Sequence, residues 1–196
     1  MSRDKYDAGG AHGCHSRSMR VREMTEDDID AVSEIRVRGW QYAYAGMVPQ
    51  HHLDAMTPEK DAAERRGFFS KSRPFVDNLV AEEPDGRVVG WAAIGPLRKE
   101  EGPPQGPGEP GEPGELYALY VHPERIGTGA GRALMEAALN VGRRRGHPEL
   151  TLWVLADNTR ARRFYEKAGF TPDGVTHTFR VAGAALADIR YARQLG

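Results

Sequence analysis

The spacing of apolar residues changes between two periods from residue 19 onward. Alternating apolar and polar residues predict a strand, whereas recurrence every three or four residues, as at Ile29, Val32 and Ile35, predicts a helix with one buried face. Because strands and helices are intermixed, we predict a mixed α/β domain with helices packed against a central sheet. The predicted elements are strands at 19–24, 75–83, 88–95, 115–123 and 150–156, helices up to Trp40, at 49–56, from Thr57, at 132–145 and at 157–169, and one or two closing strands within 178–194.

Polar residues and glycines mark where these elements begin and end. Thr25 precedes three acidic residues and Thr57 precedes a proline, and both arrangements are typical of helix N-termini. Asp85 and Gly86 predict the tip of a hairpin, and Gly169 predicts the end of the last helix.

The composition is that of an ordinary soluble protein with a single folded domain, which we place at 19–196. The chain has 196 residues, 39% of them hydrophobic, and a net charge of −1, which gives no reason to expect nucleic acid as a partner. Its longest apolar runs, LYALYV and LTLWVLA, are far shorter than the roughly 20 residues that span a bilayer, and the N-terminus lacks the apolar stretch of a signal peptide. We therefore expect no membrane association and a cytoplasmic location.

Two segments have no apolar periodicity. Residues 1–18 are rich in Gly, Ser, His and charge and predict a disordered extension, whereas the Gly-Glu-Pro triplets within 99–114 predict a flexible loop, being too few for a collagen helix. Cys14 is the only cysteine, and its HGCH context indicates a polar leader more than a metal site. His51 and His52 lack a third ligand at a convincing spacing, so we expect no metal.

Three glycines at alternate positions, Gly127, Gly129 and Gly131, precede the helix at 132–145. A strand that ends, turns through glycines and begins a helix exposes unpaired N–H groups at the positive end of the helix dipole. Bare backbone also lets a phosphate approach closely, so the turn predicts an anion site. A glycine-rich turn that binds nothing is the alternative.

Two nucleotide-binding classes do not match this turn. A Walker-type loop ends in Lys followed by Ser or Thr, whereas this one ends in Gly131-Arg132-Ala133. A dinucleotide fingerprint has the spacing G-x-G-x-x-G, but the glycines here are evenly spaced and position 132 is Arg. The anion is therefore of another class.

Two motifs together resemble the GNAT superfamily of N-acetyltransferases. LYALYVHPERIGTGAGRALMEAAL, residues 116–139, looks like its acyl-CoA-binding motif, and NTRARRFYEKAGF, residues 158–170, looks like its second signature. RGWQYAYAGMVP, residues 38–49, resembles the region between the first two helices of small-molecule acetyltransferases, so the resemblance spans about residues 19–194. It implies the GNAT fold, a central, mostly antiparallel, twisted sheet of six to seven strands flanked by four to five helices.

The resemblance implies acetyl-CoA as the acyl donor, with no metal. Its pyrophosphate would lie on the amides of the glycine turn, and its pantetheine arm would pair like an added strand, with a backbone N–H near Leu119 to Val121 facing the thioester oxygen. The family usually has Gln or Arg first in the turn, where this chain has Ile126, with Arg125 one place earlier. The residues implied to contact the donor are Leu119, Tyr120, Val121, Ile126, Gly127, Thr128, Gly129, Ala130, Gly131, Arg132, Asn158 and Tyr165.

The resemblance also implies an acid, a base and an acceptor site. Tyr165 matches the position of the acid that protonates the departing thiolate, and Asn158 matches an asparagine that contacts the donor, with core packing and helix capping as their alternative roles. Glu115 resembles the base of the histone-acetylating branch by its spacing, and an idle loop carboxylate is its alternative. The residues predicted to face the acceptor are Trp40, Tyr42, Tyr44, Met47 and Glu115, where the aromatics could enclose an amine or instead close the core.

Strand alternation adds a geometric expectation for Glu115. It places this carboxylate on the same face as Tyr117, Leu119 and Val121, where it could take a proton from an ammonium group.

The predicted function is transfer of an acetyl group from acetyl-CoA to a primary amine of a small molecule, by direct attack in a ternary complex. A covalent acyl-enzyme is not expected, because the only cysteine lies in the leader. The alternatives are a protein lysine or N-terminal acetyltransferase, a non-catalytic acyl-CoA sensor, and a structural domain with a collagen-like interaction loop. A homodimer is a further possibility.

Overall fold

The structure is a computed structural model that describes residues 19–99 and 106–196. The predicted extension at 1–18, Cys14 and part of the loop at 99–114 lie outside the described residues, so those predictions stay untested. The elements are β1 (Arg20–Glu23), α1 (Ile29–Ala43), α2 (Gln50–Ala55), α3 (Pro58–Ser72), β2 (Asp77–Glu82), β3 (Val88–Pro96), β4 (Gly114–Val121), α4 (Ala130–Arg144), β5 (Glu149–Leu155), α5 (Thr159–Lys167), β6 (Thr171–Val181) and β7 (Ala184–Gln194).

Seven strands form one sheet in the order β1-β2-β3-β4-β5-β7-β6 within the described ranges. Every neighbouring pair is antiparallel except β4 and β5, which run parallel. With five α-helices around the sheet, the mixed α/β prediction and its strand and helix numbers are confirmed.

The predicted start signals act as side-chain caps. Thr25 and Asp28 form a reciprocal capping box, in which the Thr25 N–H donates to the Asp28 carboxylate at 2.8 Å. This box opens a short 3-10 turn at Glu26–Asp28, and α1 follows it. The Thr57 hydroxyl accepts from the Lys60 N–H at 3.3 Å and opens α3, as predicted.

The closing strands differ from the prediction in extent. β6 begins at Thr171, before the predicted start near residue 178. Residues 171–178 are all exposed, so this part of the strand has no alternation of apolar and polar residues that a sequence pattern could reveal.

The helices divide between the two faces of the sheet. α4 packs on one face through Leu134, Ala138, Leu139 and Val141, as predicted, and we call this the α4 face. α1 and α3 pack on the other, which we call the α1–α3 face. A smaller apolar cluster joins α2 to the ends of β5 and β7 on the α1–α3 side.

The parallel pair β4 and β5 diverges soon after it begins. The two strands pair only at Gly114 with Leu150 and at Glu115 with Thr151. The remaining residues of β4, Leu116–Val121, therefore present one backbone edge to an opening in the middle of the sheet. The opening is therefore accessible from both faces of the sheet.

Within residues 19–99 and 106–196, no helix combines the length and the apolar character needed to cross a bilayer.

Candidate active site

A cleft of about 1110 Å³ lies where β4 and β5 diverge. Its walls come from β4, β5, the C-terminal end of α1, the N-terminal turn of α4, and α5. Pockets for drug-sized ligands are typically ~300–1,000 Å³, so this cleft has room for two reactants.

The glycine turn forms one end of the cleft with bare backbone. Gly127 and Gly129 have φ values of +90° and +98°, a conformation that side chains disfavour, and a Cβ added at either position would meet no atom within 4 Å. Gly129 is the N-cap of the 15-residue helix α4, whose first N–H groups have no intrahelical acceptor. The turn therefore offers open amides and the positive end of a helix dipole to an anion in the cleft.

Of the residues next to the glycines, some line the cleft and others only support the turn. Ile126, Gly131 and the exposed Arg132 line the cleft. Thr128 and Ala130 are not among the lining residues: the Thr128 hydroxyl donates to a backbone carbonyl at 2.8 Å, and Ala130 is buried.

Arg125 lies next to the turn but is directed away from it. It pairs with Glu83 at 3.1 Å and is not a lining residue. The only side-chain cation of the segment 125–132 on the cleft wall is therefore Arg132, and the backbone supplies the rest of the positive potential.

The free edge of β4 presents alternate N–H groups to the cleft. The His122 N–H donates to Val89 of β3 at 2.8 Å, and successive backbone N–H groups of a strand point to opposite edges. The N–H groups of Val121 and Leu119 therefore point away from β3, toward the opening. Leu119, Tyr120 and Val121 all line the cleft.

Asn158 and Tyr165 lie on the α5 side of the cleft. The Asn158 side chain accepts from the Ala161 N–H at 3.1 Å, so it caps α5 and lines the cleft as well. Tyr165 packs against Phe164 and Phe170 with ring centroids 5.4 and 6.2 Å away. Burial, with a smaller effect of Tyr120, raises the pKa of Tyr165, so its phenol is protonated at neutral pH.

Two more phenols meet on the α1–α3 side. The hydroxyls of Tyr44 and Tyr120 lie 3.3 Å apart, and burial is the main cause that raises the pKa of each. Electrostatic interaction with Tyr165 adds to the raised pKa of Tyr44, and all three phenols line the cleft.

Glu115 differs from its predicted geometry. A β-bulge at Tyr117, between the pairs Ala93–Ala118 and Ile94–Leu116, breaks the alternation of β4. Leu116 packs on the α4 face, and Leu119 and Val121 also reach that face, so the prediction that Glu115 shares their face is wrong.

The Glu115 carboxylate is instead committed to Arg98. It is 1% exposed, it accepts from the Arg98 backbone N–H and Nε at 3.0 Å each, and it also pairs with the Arg98 terminal nitrogen. Glu115 does not line the cleft. Its role as base stays a prediction that this geometry does not support.

The predicted acceptor residues are only partly on the cleft wall. Tyr42, Tyr44 and Met47 line it. Trp40 packs edge-on against Tyr44 with centroids 4.8 Å apart and is not a lining residue.

Several lining residues were missed by sequence reasoning, among them Trp153 and Arg160. Trp153 is half-buried in β5, and Arg160 of α5 donates to the Tyr42 hydroxyl at 2.7 Å across the cleft. A tryptophan within an apolar strand is a usable signal, because its N–H favours sites with one wet side. Arg160 gave no signal, since the contact joins residues 118 positions apart.

No group of three His, Cys, Asp or Glu side chains suited to a metal ion occurs among the residues that the structure describes.

Comparison with known sequences identifies a family profile and similar proteins. The profile of the acetyltransferase (GNAT) family matches residues 35–170. The uncharacterised N-acetyltransferase YuaI of Bacillus subtilis strain 168 is 30% identical over 170 residues, covering 86% of this chain and 89% of that protein. A mycothiol acetyltransferase of Kocuria rhizophila is 33% identical over 136 residues, covering 68% of this chain and 42% of that enzyme.

Solved structures share the fold. The PaiA N-acetyltransferase of Thermoplasma acidophilum, in complex with coenzyme A, has a TM-score of 0.69 at 20% identity, covering 90% of this chain and 99% of that one. YncA of Salmonella typhimurium, with its cofactor acetyl-CoA, has a TM-score of 0.69 at 23% identity, covering 91% and 95% of the two chains.

Proposed function

The chain belongs to the acetyltransferase (GNAT) family, and from this premise we propose that it transfers an acetyl group from acetyl-CoA to a primary amine of a small molecule, by direct attack in a ternary complex. The observation that carries the proposal is the glycine turn, whose open backbone and helix dipole face the cleft beside the free edge of β4. CoA and acetyl-CoA in PaiA and YncA support this donor, and the name of the mycothiol acetyltransferase supports a small-molecule acceptor.

The donor site is built mainly from backbone. The amides of Gly127 and of Gly129 to Gly131 would hold the pyrophosphate, with the Arg132 guanidinium beside it, because the predicted amides of Ile126 and Thr128 already donate to backbone carbonyls at 3.4 Å. Leu119 and Val121 would pair with the pantetheine arm as an added strand, and Asn158 would contact the arm from α5.

The residues of the chain then act on the reacting groups. Acetyl-CoA supplies a thioester carbonyl that an amine can attack. An N–H of Leu119 or Val121 stabilises negative charge on that carbonyl oxygen. The Tyr165 phenol donates its proton to the departing sulfur, because burial keeps the phenol protonated.

The acceptor is proposed to enter from the α1–α3 side. Tyr42, Tyr44 and Met47 line this part of the cleft, together with Trp153. Aromatic walls of this kind suit an amine with an apolar or cationic body.

Calorimetric titration with acetyl-CoA tests the donor site. We expect the wild-type protein to bind with micromolar affinity and Gly129→Glu to bind more than about 100-fold more weakly, because the added carboxylate repels the phosphates. Gly86→Glu is the matched control, since Gly86 also has a positive φ, +89°, and open space around its Cβ position, but it lies at a hairpin tip.

The control separates loss of the site from loss of the fold. Equal binding by wild type and Gly129→Glu would contradict the donor site. A folded wild-type protein that does not bind acetyl-CoA would contradict the proposed function as a whole.

A further inference from the structure

The α1–α3 face carries a carboxylate, Asp188, that has no role in the reaction as proposed above. Asp188 lies in β7, and its Cα partners are Leu155 of β5 and His177 of β6. Side chains alternate along β7: Leu186 packs in the cluster with α2, whereas Ile189 packs on the α4 face. Asp188 therefore projects from the same face as the C-terminal end of α1.

Titratable groups from three other elements face Asp188. Its charge contributes to the raised pKa of Tyr44, the residue that ends α1, and of Tyr120 on β4. His177 on β6 opposes the rise in the pKa of Asp188 that burial causes. The His177 ring also lies 6.3 Å from the ring of Trp153, a residue of the cleft wall.

Tyr44 connects Asp188 to the proposed acid. After burial and Tyr120, electrostatic interactions with Tyr165 and with the Asp188 carboxylate raise the pKa of Tyr44 further. Leu155, the Cα partner of Asp188, and Leu186, two residues before it, belong to the apolar cluster against which Tyr44 packs, and Tyr44 and Tyr165 both line the cleft. An amine bound near the Tyr44 hydroxyl would therefore have the Asp188 carboxylate on one side and the Tyr165 phenol on the other.

The ionised form of Asp188 is not favoured by folding. Burial raises its pKa, so the fold bears a cost at neutral pH to keep a carboxylate at this position. Two residues further along β7, Arg190 pairs with Asp173 at 2.6 Å, which makes that pair a surface link within the hairpin. Asp188 is not itself a lining residue of the cleft, but its Cα partner Leu155 lies two positions from Trp153, which is a lining residue. A carboxylate that folding destabilises this close to a cleft is typical of a functional group.

We propose that Asp188 takes a proton from the ammonium group of the acceptor and so produces the nucleophilic amine. The inference rests on the proposed function and names the base of that reaction in place of Glu115. It also defines the acceptor class as a primary aliphatic amine that is protonated at neutral pH.

The proton and bond changes balance. An N–H bond of the ammonium group breaks and an O–H bond forms on Asp188, which is half-buried and afterwards releases this proton to solvent. The neutral nitrogen then bonds to the acetyl carbon while the C–S bond breaks. Tyr165 protonates the sulfur, and the second proton lost by the nitrogen restores the phenol.

The test compares Asp188→Asn with Asp173→Asn, which removes the other aspartate of the same hairpin. Initial rates are measured at saturating acetyl-CoA with a panel of small primary aliphatic amines, among them n-butylamine, 2-phenylethylamine and 1,4-diaminobutane. At neutral pH, kcat/KM is expected to fall about 100-fold in Asp188→Asn and to change less than about threefold in Asp173→Asn. The dissociation constant of acetyl-CoA should be the same in all three proteins.

Alkaline pH supplies a readout that a structural role would not change. Aliphatic amines have pKa values near 10, so at high pH much of the acceptor is already neutral and needs no base. The deficit of Asp188→Asn is therefore expected to shrink about tenfold between neutral pH and pH near 10.

Stability supplies a second readout. Because its folded pKa is raised, ionised Asp188 lowers stability as pH rises through its pKa, so Asp188→Asn should unfold at the same or a higher temperature than wild type at neutral pH. Unchanged kcat/KM in Asp188→Asn, or a loss that is independent of pH and accompanied by a lower unfolding temperature, would overturn the assignment. Failure of the wild-type protein to acetylate any amine would instead overturn the proposed function, and this inference with it.

Discussion

Tyr165 owes its suitability as an acid to its surroundings. Packing between Phe164 and Phe170 removes its ring from water, and this burial is the main cause of its raised pKa. An acid must be protonated before it acts, and a raised pKa means that this proton is lost only at higher pH. We therefore expect no decline of kcat from this group between pH 7 and about 10.

Replacement of Tyr165 by Phe tests this role. Tyr165→Phe keeps the ring and removes the proton, so kcat should fall about 100-fold while the dissociation constant of acetyl-CoA changes less than about twofold. Tyr191→Phe is the control, because Tyr191 is fully buried and its hydroxyl bonds to Glu166 of α5 at 3.0 Å, outside the cleft lining. Equal losses in both variants would indicate that α5 packing, not acid chemistry, is responsible.

Asn158 caps α5 and is proposed to contact the donor, and substitution can separate these two roles. Aspartate caps a helix as well as asparagine does, so Asn158→Asp should retain stability, whereas Asn158→Ala should lose about 1 kcal/mol in urea unfolding. Both variants lack the amide N–H₂ group, so both should bind acetyl-CoA about tenfold more weakly. If only Asn158→Ala lost affinity for acetyl-CoA, the proposed contact would be contradicted and helix capping would be the role of Asn158.

The bulge in β4 decides what the first residues of this strand do. It gives Tyr117 the extra position, directs Leu119 and Val121 to the α4 face, and leaves Glu115 beside Arg98 at the end of β3. The Arg98 guanidinium also lies 4.8 Å from the Tyr117 ring centroid. The ion pair between Glu115 and Arg98 therefore holds the segment that follows β3 against the start of β4.

Glu115→Gln distinguishes a structural from a catalytic carboxylate. Removing the charge leaves Arg98 without its counter-ion, and because the Arg98 side chain is 32% exposed, we expect a loss of about 1–3 kcal/mol in unfolding free energy. Urea unfolding measures it, with Glu112→Gln as control, since Glu112 pairs with the exposed Lys99 and should matter much less. A 100-fold loss of kcat in a variant of normal stability would instead restore Glu115 as the base.

Across the whole molecule, the divergence of β4 and β5 opens the sheet toward both of its faces. The glycine turn and α4 lie on one face, and the end of α1 lies on the other. Arg160 and Tyr42 bridge the cleft between α5 and α1 at 2.7 Å. In the proposed reaction, donor and acceptor would approach from opposite faces and meet in this opening.

Local patterns predicted the glycine turn before α4 and the Asn158 cap of α5, because in each case the residues are consecutive in the sequence. They did not predict Trp153 and Arg160 on the cleft wall, or Asp188 on the face where Tyr44 packs. These three residues come from distant elements, and no local pattern joins them to Tyr44.

The sequence alone determined the order of the elements, their caps, the α4 core face and the glycine turn, because each depends on residues within a few positions of one another. The tertiary structure alone decided the bulge in β4, the ion pair of Glu115 with Arg98, and the position of Asp188 on the face where Tyr44 packs. Each of these depends on the register between strands and on packing between faces of the sheet, which are set by contacts over long sequence separations.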